Sequence, residues 1–172
     1  MIQKENNVLG KILIHLNVNN KDYELLVDPG RTLVEVLRED LQMTGTKQGC
    51  ETANCGACTV IANGMAIKSC NTLAVQMDGY YITTIEGLSR FENGEETLHP
   101  LQKAFIEQGA IQCGFCTAGM IMSAKALLDT CPDADEDTIR EAMHGNICRC
   151  TGYVKVVQAI ESARDAMKGA AK

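Results

Sequence analysis

The chain has no tryptophan, and aromatic residues fill only 4% of its 172 positions. Stacking platforms of the kind that hold single-stranded nucleic acid therefore have little to be built from. Basic residues are outnumbered, 16 Lys and Arg against 22 Asp and Glu, and the formal net charge is -6. The basic face that a phosphate backbone requires is missing, so nucleic acid is not an expected partner. Nowhere is there a run of the ~18 apolar residues that a membrane-spanning helix needs. The opening stretch, Met1 to Asn7, is polar and lacks the apolar centre of a signal peptide, which points to a cytoplasmic protein. Internal repeats and low-complexity tracts are also absent. What is present is ordinary for a folded domain, with 45% apolar and 22% charged residues, together with one excess: nine cysteines.

Nine is odd, so at least one thiol has no partner within the chain. In a reducing compartment, dense cysteine usage reads as metal ligation or redox chemistry rather than a disulfide framework. The positions form two groups, Cys50, Cys55, Cys58 and Cys70, then Cys113, Cys116, Cys148 and Cys150, with Cys131 alone between Cys116 and Cys148. Two groups of four imply two four-ligand sites.

The chain changes character between the groups. Ile12, Ile14, Leu16 and Val18 alternate strictly, and after Asn19-Asn20 come Leu25 and Val27, a hairpin pattern. Thr32 is placed to cap a short helix carrying Leu33, Val36, Leu37 and Leu41. A glycine-bearing loop, 44–58, precedes two strand segments around Asn63-Gly64, a two-residue turn signal, and Tyr81 to Ile85 forms a late strand. The polar stretch 89–97 reads as a linker. Beyond it the apolar period becomes about 3.6. Four helices are predicted: one opened by Pro100 and closed at Gly109, one bearing Met120 to Leu128 and stopped by Pro132, one capped by Asp135, and one running from about Gly152. The tail from Lys168 to Lys172 is expected to fray. The predicted fold class is α+β, a strand-rich N-terminal domain over 1–88, a linker over 89–97 and a four-helix bundle over 98–172.

The first cysteine group has the spacing C-x4-C-x2-C with a distant fourth, the plant-type ferredoxin pattern for a 2Fe-2S cluster. Gly49 and Gly56 allow the loop to turn so that N-H groups point at sulfur. Four thiolates also suit tetrahedral zinc, although structural zinc sites favour paired short knuckles over three clustered ligands and a remote one. In the second group, 31 residues separate Cys116 from Cys148. A helix over 117–130 would run out about 21 Å and one over 135–145 would return about 16 Å, bringing the two pairs together. Both pairs precede apolar-periodic segments and should lie near helix N-termini, where unpaired N-H groups and the positive dipole end favour thiolates.

The strings Thr46-Lys47-Gln48-Gly49-Cys50, Cys55-Gly56-Ala57-Cys58-Thr59-Val60, Gln112-Cys113-Gly114-Phe115-Cys116-Thr117 and Gly145-Asn146-Ile147-Cys148-Arg149-Cys150-Thr151-Gly152-Tyr153 resemble those of the small iron-sulfur subunit of the molybdenum hydroxylases. That family includes xanthine dehydrogenase, aldehyde oxidoreductase, carbon monoxide dehydrogenase and 4-hydroxybenzoyl-CoA reductase, and the resemblance spans about residues 10 to 165. It implies a ferredoxin-like β-grasp domain holding one 2Fe-2S cluster on Cys50, Cys55, Cys58 and Cys70. The helical domain would hold a second on Cys113, Cys116, Cys148 and Cys150. It further implies that Gln112 and Cys150 contact the molybdopterin of a large subunit, that the first cluster faces the FAD of a medium subunit, and that the complex is a dimer of heterotrimers. One departure is visible, Thr117-Ala118-Gly119 where the family usually has Thr-Pro-Gly; Ala is a good helix former, so little change is expected.

No Gly-rich phosphate loop and no Ser/His/Asp set occurs, so catalysis and substrate choice would belong to partner subunits. Two other classes compete with the subunit reading: a free-standing two-cluster electron carrier, which would not need the helical half, and a zinc-stabilised interaction module. Cys131 reads as a small buried apolar residue. Arg149 either offsets cluster charge or bonds a helix terminus. His15, His99 and His144 show no ligand spacing, and the methionines lie mostly on helical core faces. Lys47, beside the first loop, reads as a solvated charge.

Overall fold

The computed structural model describes residues 10–92 and 94–170. The polar N-terminal stretch therefore lies outside the described residues. Strands β1 (Ile12–Val18) and β2 (Lys21–Val27) form the expected hairpin, with Asn19 and Asn20 both at positive φ in its turn. Asn is among the few non-glycine residues that accept that conformation readily. The helix α1 (Leu33–Glu35) continues as a π-turn, Val36–Asp40. Its start is held by the Glu35 carboxylate, which accepts hydrogen bonds from the Thr32 amide and hydroxyl, each at 2.7 Å. Strands β3 (Thr59–Ala62) and β4 (Met65–Lys68) flank the Asn63-Gly64 turn, where both residues have positive φ.

Strand β5 (Tyr81–Thr83) is shorter than the predicted segment. It pairs parallel with β1 and antiparallel with β3, closing a mixed five-stranded sheet in the order β2-β1-β5-β3-β4. Ile14, Leu16, Val18, Val60, Ala62 and Ile82 on one face of the sheet meet Leu33, Val36 and Leu37 to form the N-terminal core. The segment expected as a linker is itself folded, a small hairpin of β6 (Arg90–Glu92) and β7 (Glu95–Thr97).

Four helices follow: α2 (Pro100–Glu107), α3 (Thr117–Thr130), α4 (Glu136–Met143) and α5 (Val154–Ala170). Pro100 occupies the first turn of α2, and Asp135 caps α4 by accepting from the Thr138 amide at 2.9 Å. Leu101, Phe105, Met120, Ile121, Ile139, Val156 and Ile160 are buried among them. Side chains of this size each contribute about 1.5–3 kcal/mol on full burial. The expected fraying is not seen as far as Ala170: α5 persists, and Lys168 pairs with Asp133 at 2.6 Å.

The two halves share a wall. All four residues of β3 are buried, because Val60 and Ala62 face the N-terminal core while Ile61 faces the helical one, against which α3 packs. Leu88 also buries in the helical core. This two-sided burial is why β3 reads Thr-Val-Ile-Ala without polar alternation. Among the described residues, no helix is long and apolar enough to cross a membrane.

Candidate functional site

The N-terminal thiols gather around the loop between α1 and β3. Cys50, Cys55 and Cys58 lie in it, and Cys70 arrives from the 3-10 turn Ser69–Asn71 after β4. Cys58 and Cys70 are buried against Val34, whereas Cys50 and Cys55 are half-exposed. Gly56 has φ +70°, and a Cβ there would lie 2.2 Å from the Gly145 carbonyl oxygen, so only glycine fits. The amides of Cys55 and Thr52 donate to Cys50 Sγ at 3.3 and 3.5 Å. Hydrogen bonds from the Thr52 side chain and then from the Cys55 amide pull the Cys50 thiol down to about 6. Burial, with the facing Cys58 thiol adding to it, pushes Cys70 up to about 11, and burial also raises Cys55.

The helical thiols come together as the hairpin of α3 and α4 predicts. Cys150 Sγ lies 3.7 Å from Cys113 Sγ, and Cys116 faces Cys148. Cys148 Sγ accepts from the Thr151 hydroxyl at 3.1 Å and from the amides of Thr151 and Cys150, each at 3.4 Å. Burial opposes ionisation here, yet these donors bring the Cys148 thiol down to about 7. Cys116 does lie at the N-terminus of α3 as expected, though its side chain makes no capping hydrogen bond, and the expectation that a helix N-terminus lowers its thiol does not hold: burial and the neighbouring Cys148 push it up to about 12. Desolvation of a thiolate outweighs the partial charge of one helix end. The Gln112 side chain, exposed, donates from Nε2 to the Cys150 carbonyl at 3.1 Å.

Eight thiols thus lie in facing pairs, Cys50 with Cys55, Cys58 with Cys70, Cys113 with Cys150, and Cys116 with Cys148. Among the described residues no three His, Cys, Asp or Glu side chains converge on one point as a single-ion site would require. Cys131 stands apart at the C-terminal end of α3, packed on the helical core but half-buried rather than fully buried as its sequence position suggests.

The quartets are joined by a seam. The Ile147 amide donates to the Cys55 carbonyl at 2.9 Å, so a cysteine of the first quartet is hydrogen-bonded to the residue that precedes Cys148 of the second. Asn146, only 2% exposed, donates from Nδ2 to the Gly56 carbonyl at 3.1 Å and accepts from the Ser123 hydroxyl at 2.8 Å. Tyr153 braces the same loop, its hydroxyl accepting from the Cys148 amide at 2.7 Å and donating to the Asn146 carbonyl at 3.2 Å. The Phe115 ring packs so close to Gly49 that a Cβ there would lie 3.1 Å from it.

The contacts of three residues here, Asn146, Thr151 and Lys68, have no local mark in the sequence. Lys68 is half-buried, and its Nζ donates to Thr59 Oγ1 at 3.0 Å. Burial lowers its pKa, and thiolates at Cys58, Cys55, Cys70 and Cys50 act in the opposite direction. Lys47, in contrast, donates to the Thr44 carbonyl at 2.7 Å, and Arg149 is exposed with no hydrogen bond among the described residues. His99 caps α2, and His15 and His144 pair only with surface carboxylates.

Known proteins share this arrangement. Residues 16–80 match the family described as a 2Fe-2S iron-sulfur cluster binding domain, and residues 84–161 match the [2Fe-2S] binding domain family. The nicotinate dehydrogenase small FeS subunit of Eubacterium barkeri is 47% identical over 155 residues, 90% of this chain and 96% of that one. Quinoline 2-oxidoreductase from Pseudomonas putida 86 superposes with a TM-score of 0.86 at 42% identity, covering 93% of this chain and 98% of the matched one. The aldehyde oxidoreductase from Desulfovibrio gigas also superposes at 0.86, with 44% identity and 92% of this chain covered, but there the match is 17% of a longer chain. With its two cysteine quartets, its two matched domains and full-length relatives at this identity, the chain belongs to the family of small iron-sulfur subunits of the molybdenum hydroxylases.

Proposed function

We propose that this chain passes single electrons between the molybdopterin site of a large subunit and the FAD of a medium subunit, through two 2Fe-2S clusters. The observation that carries the reading is the pairing of eight thiols into two quartets whose loops are hydrogen-bonded across the seam, Ile147 N-H to Cys55 carbonyl at 2.9 Å. Cys50, Cys55, Cys58 and Cys70 hold the first cluster, and Cys113, Cys116, Cys148 and Cys150 the second. Facing pairs suit a two-iron group, in which each iron takes two thiolates. The cradle fits it in other respects. A Cβ at Gly49 would stand 3.2 Å from Cys55 Sγ, so the loop is kept bare beside sulfur. Thr46, 2% exposed and four residues before Cys50, has the one buried side-chain polar atom without a partner among the described residues. When bound, each 2Fe-2S cluster takes up and releases one electron at a time.

The chain's own residues do the rest. Amide and hydroxyl donors at Cys50 and Cys148 stabilise thiolate, which is the form that binds iron. The buried pair Cys58 and Cys70 keeps water from one side of the first site. Cys113 and Cys150 are exposed, and Gln112, braced on the Cys150 carbonyl, is the side chain that would meet the pterin. The half-buried Cys116 and Cys148 turn towards the seam. On this reading, residues 1–88 are a β-grasp cluster domain, 89–97 the connection and 98–172 a four-helix bundle cluster domain. The assembly is a dimer of heterotrimers in the cytoplasm. Substrate chemistry resides in the large subunit.

The test is metal analysis of the anaerobically purified chain with its partners. About four iron atoms per chain and two distinguishable reduced-cluster EPR signals are expected. Cys150→Ala abolishes the helical-domain signal and spares the other. Zinc in place of iron with no visible absorption overturns the redox reading, and a chain recovered alone and fully functional as a carrier overturns the subunit reading.

A further inference from the structure

We propose that Lys68 is the fixed counter-charge of the cluster held by Cys50, Cys55, Cys58 and Cys70, making that cluster easier to reduce than it would be without the ammonium. The inference rests on the ligand assignment above and goes beyond it, since it assigns a residue to the tuning of one cluster's potential.

Lys68 ends β4, two residues before Cys70, and is paired in register with Thr59, the neighbour of Cys58. Its ammonium is held rather than free. Nζ donates to Thr59 Oγ1 at 3.0 Å, and that hydroxyl is itself fixed by donating to the Gly56 carbonyl at 2.7 Å. Across the seam, Nζ lies 3.4 Å from where a Cβ of Gly145 would stand, so the half-buried side chain reaches between the two cysteine loops. None of the ion pairs among the described residues includes Lys68. A half-buried cation without a carboxylate partner is unusual, because burial disfavours its charge. The compensating negative charge is the thiolate quartet beside it.

Other cations near the loops are placed differently. Arg38 and Lys47 are also half-buried and outside every ion pair among the described residues, but their donors are spent on the Thr44 and Thr46 carbonyls, and Arg149 is exposed. An exposed charge is screened by solvent and salt, whereas a half-buried one acts at lower effective dielectric. Reduction adds one electron, and therefore one unit of negative charge, to the cradle. The ammonium is present before and after, so no proton enters the balance. Its attraction is stronger for the reduced cradle by that one unit. The thiolates that act on Lys68 are those of Cys58, Cys55, Cys70 and Cys50, with none from the helical quartet among them, so the effect is larger at the first site.

The experiment is a potentiometric titration of the assembled complex, read by the EPR signals of the two reduced clusters. Lys68→Met is expected to lower the reduction equilibrium constant of the ferredoxin-like cluster at least tenfold, about 59 mV for a one-electron carrier. Lys68→Arg keeps the constant within about threefold of wild type, and the helical-domain cluster moves by less than about threefold in both variants. If Lys68→Met does not load iron, Lys68→Gln, which retains a donor for Thr59, serves the same comparison. An unmoved potential, or equal shifts in both clusters, overturns the proposal. Absence of the first signal from the wild-type complex overturns the ligand assignment instead.

Discussion

Replacing Gly119 by Ala sets two effects of opposite sign against each other. Gly119 lies in the first turn of α3, where helix propensity alone favours Ala over Gly by about 1 kcal/mol. A Cβ at that position, however, would lie 2.1 Å from the Gly56 carbonyl oxygen and 3.0 Å from Ala57 Cα. Both are backbone atoms. The carbonyl is not free to yield, since it accepts from the Thr59 amide at 3.1 Å, the Thr59 hydroxyl at 2.7 Å and Asn146 Nδ2 at 3.1 Å. Relief requires α3 to withdraw from β3 by about an ångström, opening the packing around Ile61 and Met120. Overpacking against backbone held this firmly costs about 2–3 kcal/mol, the upper part of the usual range. With the propensity gain subtracted, the net loss is about 1–2 kcal/mol, which lowers the melting midpoint of a chain this size by roughly 3–6 °C. Paired circular-dichroism melts of wild type and Gly119→Ala measure it, with visible absorption followed in the same scan, and the absorption is expected to be lost first. A variant that melts at or above wild type would refute the reasoning, because propensity would then have won and the seam would be looser than its distances indicate.

Asn146→Ala removes two buried hydrogen bonds and leaves the Ser123 hydroxyl without an acceptor, a loss of about 2–3 kcal/mol measurable by denaturant unfolding. Asn146→Asp should be worse, since a carboxylate would face the Gly56 carbonyl oxygen. At α1, hydrogen bonds from the Thr32 side chain and then its amide hold the Glu35 carboxyl below its ordinary range. A depressed native pKa adds stability that is present above the unfolded carboxylate pKa and disappears as pH falls through the native one. Glu35→Ala should therefore cost about 1 kcal/mol at neutral pH and progressively less in acid, as urea midpoints across pH would register. Cys131→Ala should leave iron content and both EPR signals unchanged; loss of either cluster would remove it from its bystander role.

Much of this molecule is local and was legible without coordinates. The Asn19-Asn20 and Asn63-Gly64 turns, the Thr32 and Asp135 helix starts and the Pro100 first turn each follow from the preferences of one or two residues for a backbone conformation or a hydrogen bond. The division of eight cysteines into two quartets, with Cys131 left over, was likewise written in their spacing. The segment 89–97 was read as a linker because its residues are polar, yet two three-residue strands form there. Such a pairing depends on both strands together and leaves little mark in either.

Spacing could not convey what lies between the quartets. Tertiary packing alone decided that β3 is buried on both faces, that Gly56 and Gly119 meet at a single carbonyl, and that Asn146 spans 90 positions of sequence to reach it. It also set the thiol ionisation, since the burial that raises Cys116 and the donors that lower Cys148 belong to the folded environment and not to residue type. Lys68 is the sharpest case: in the sequence it is one of 16 basic residues, and only the fold sets it between two cysteine loops. Residue order determined which atoms can bind iron, because ligand chemistry and loop length are local. The fold determined how those atoms are charged and joined, because desolvation and electrostatics depend on every neighbour within several ångströms, however distant along the chain.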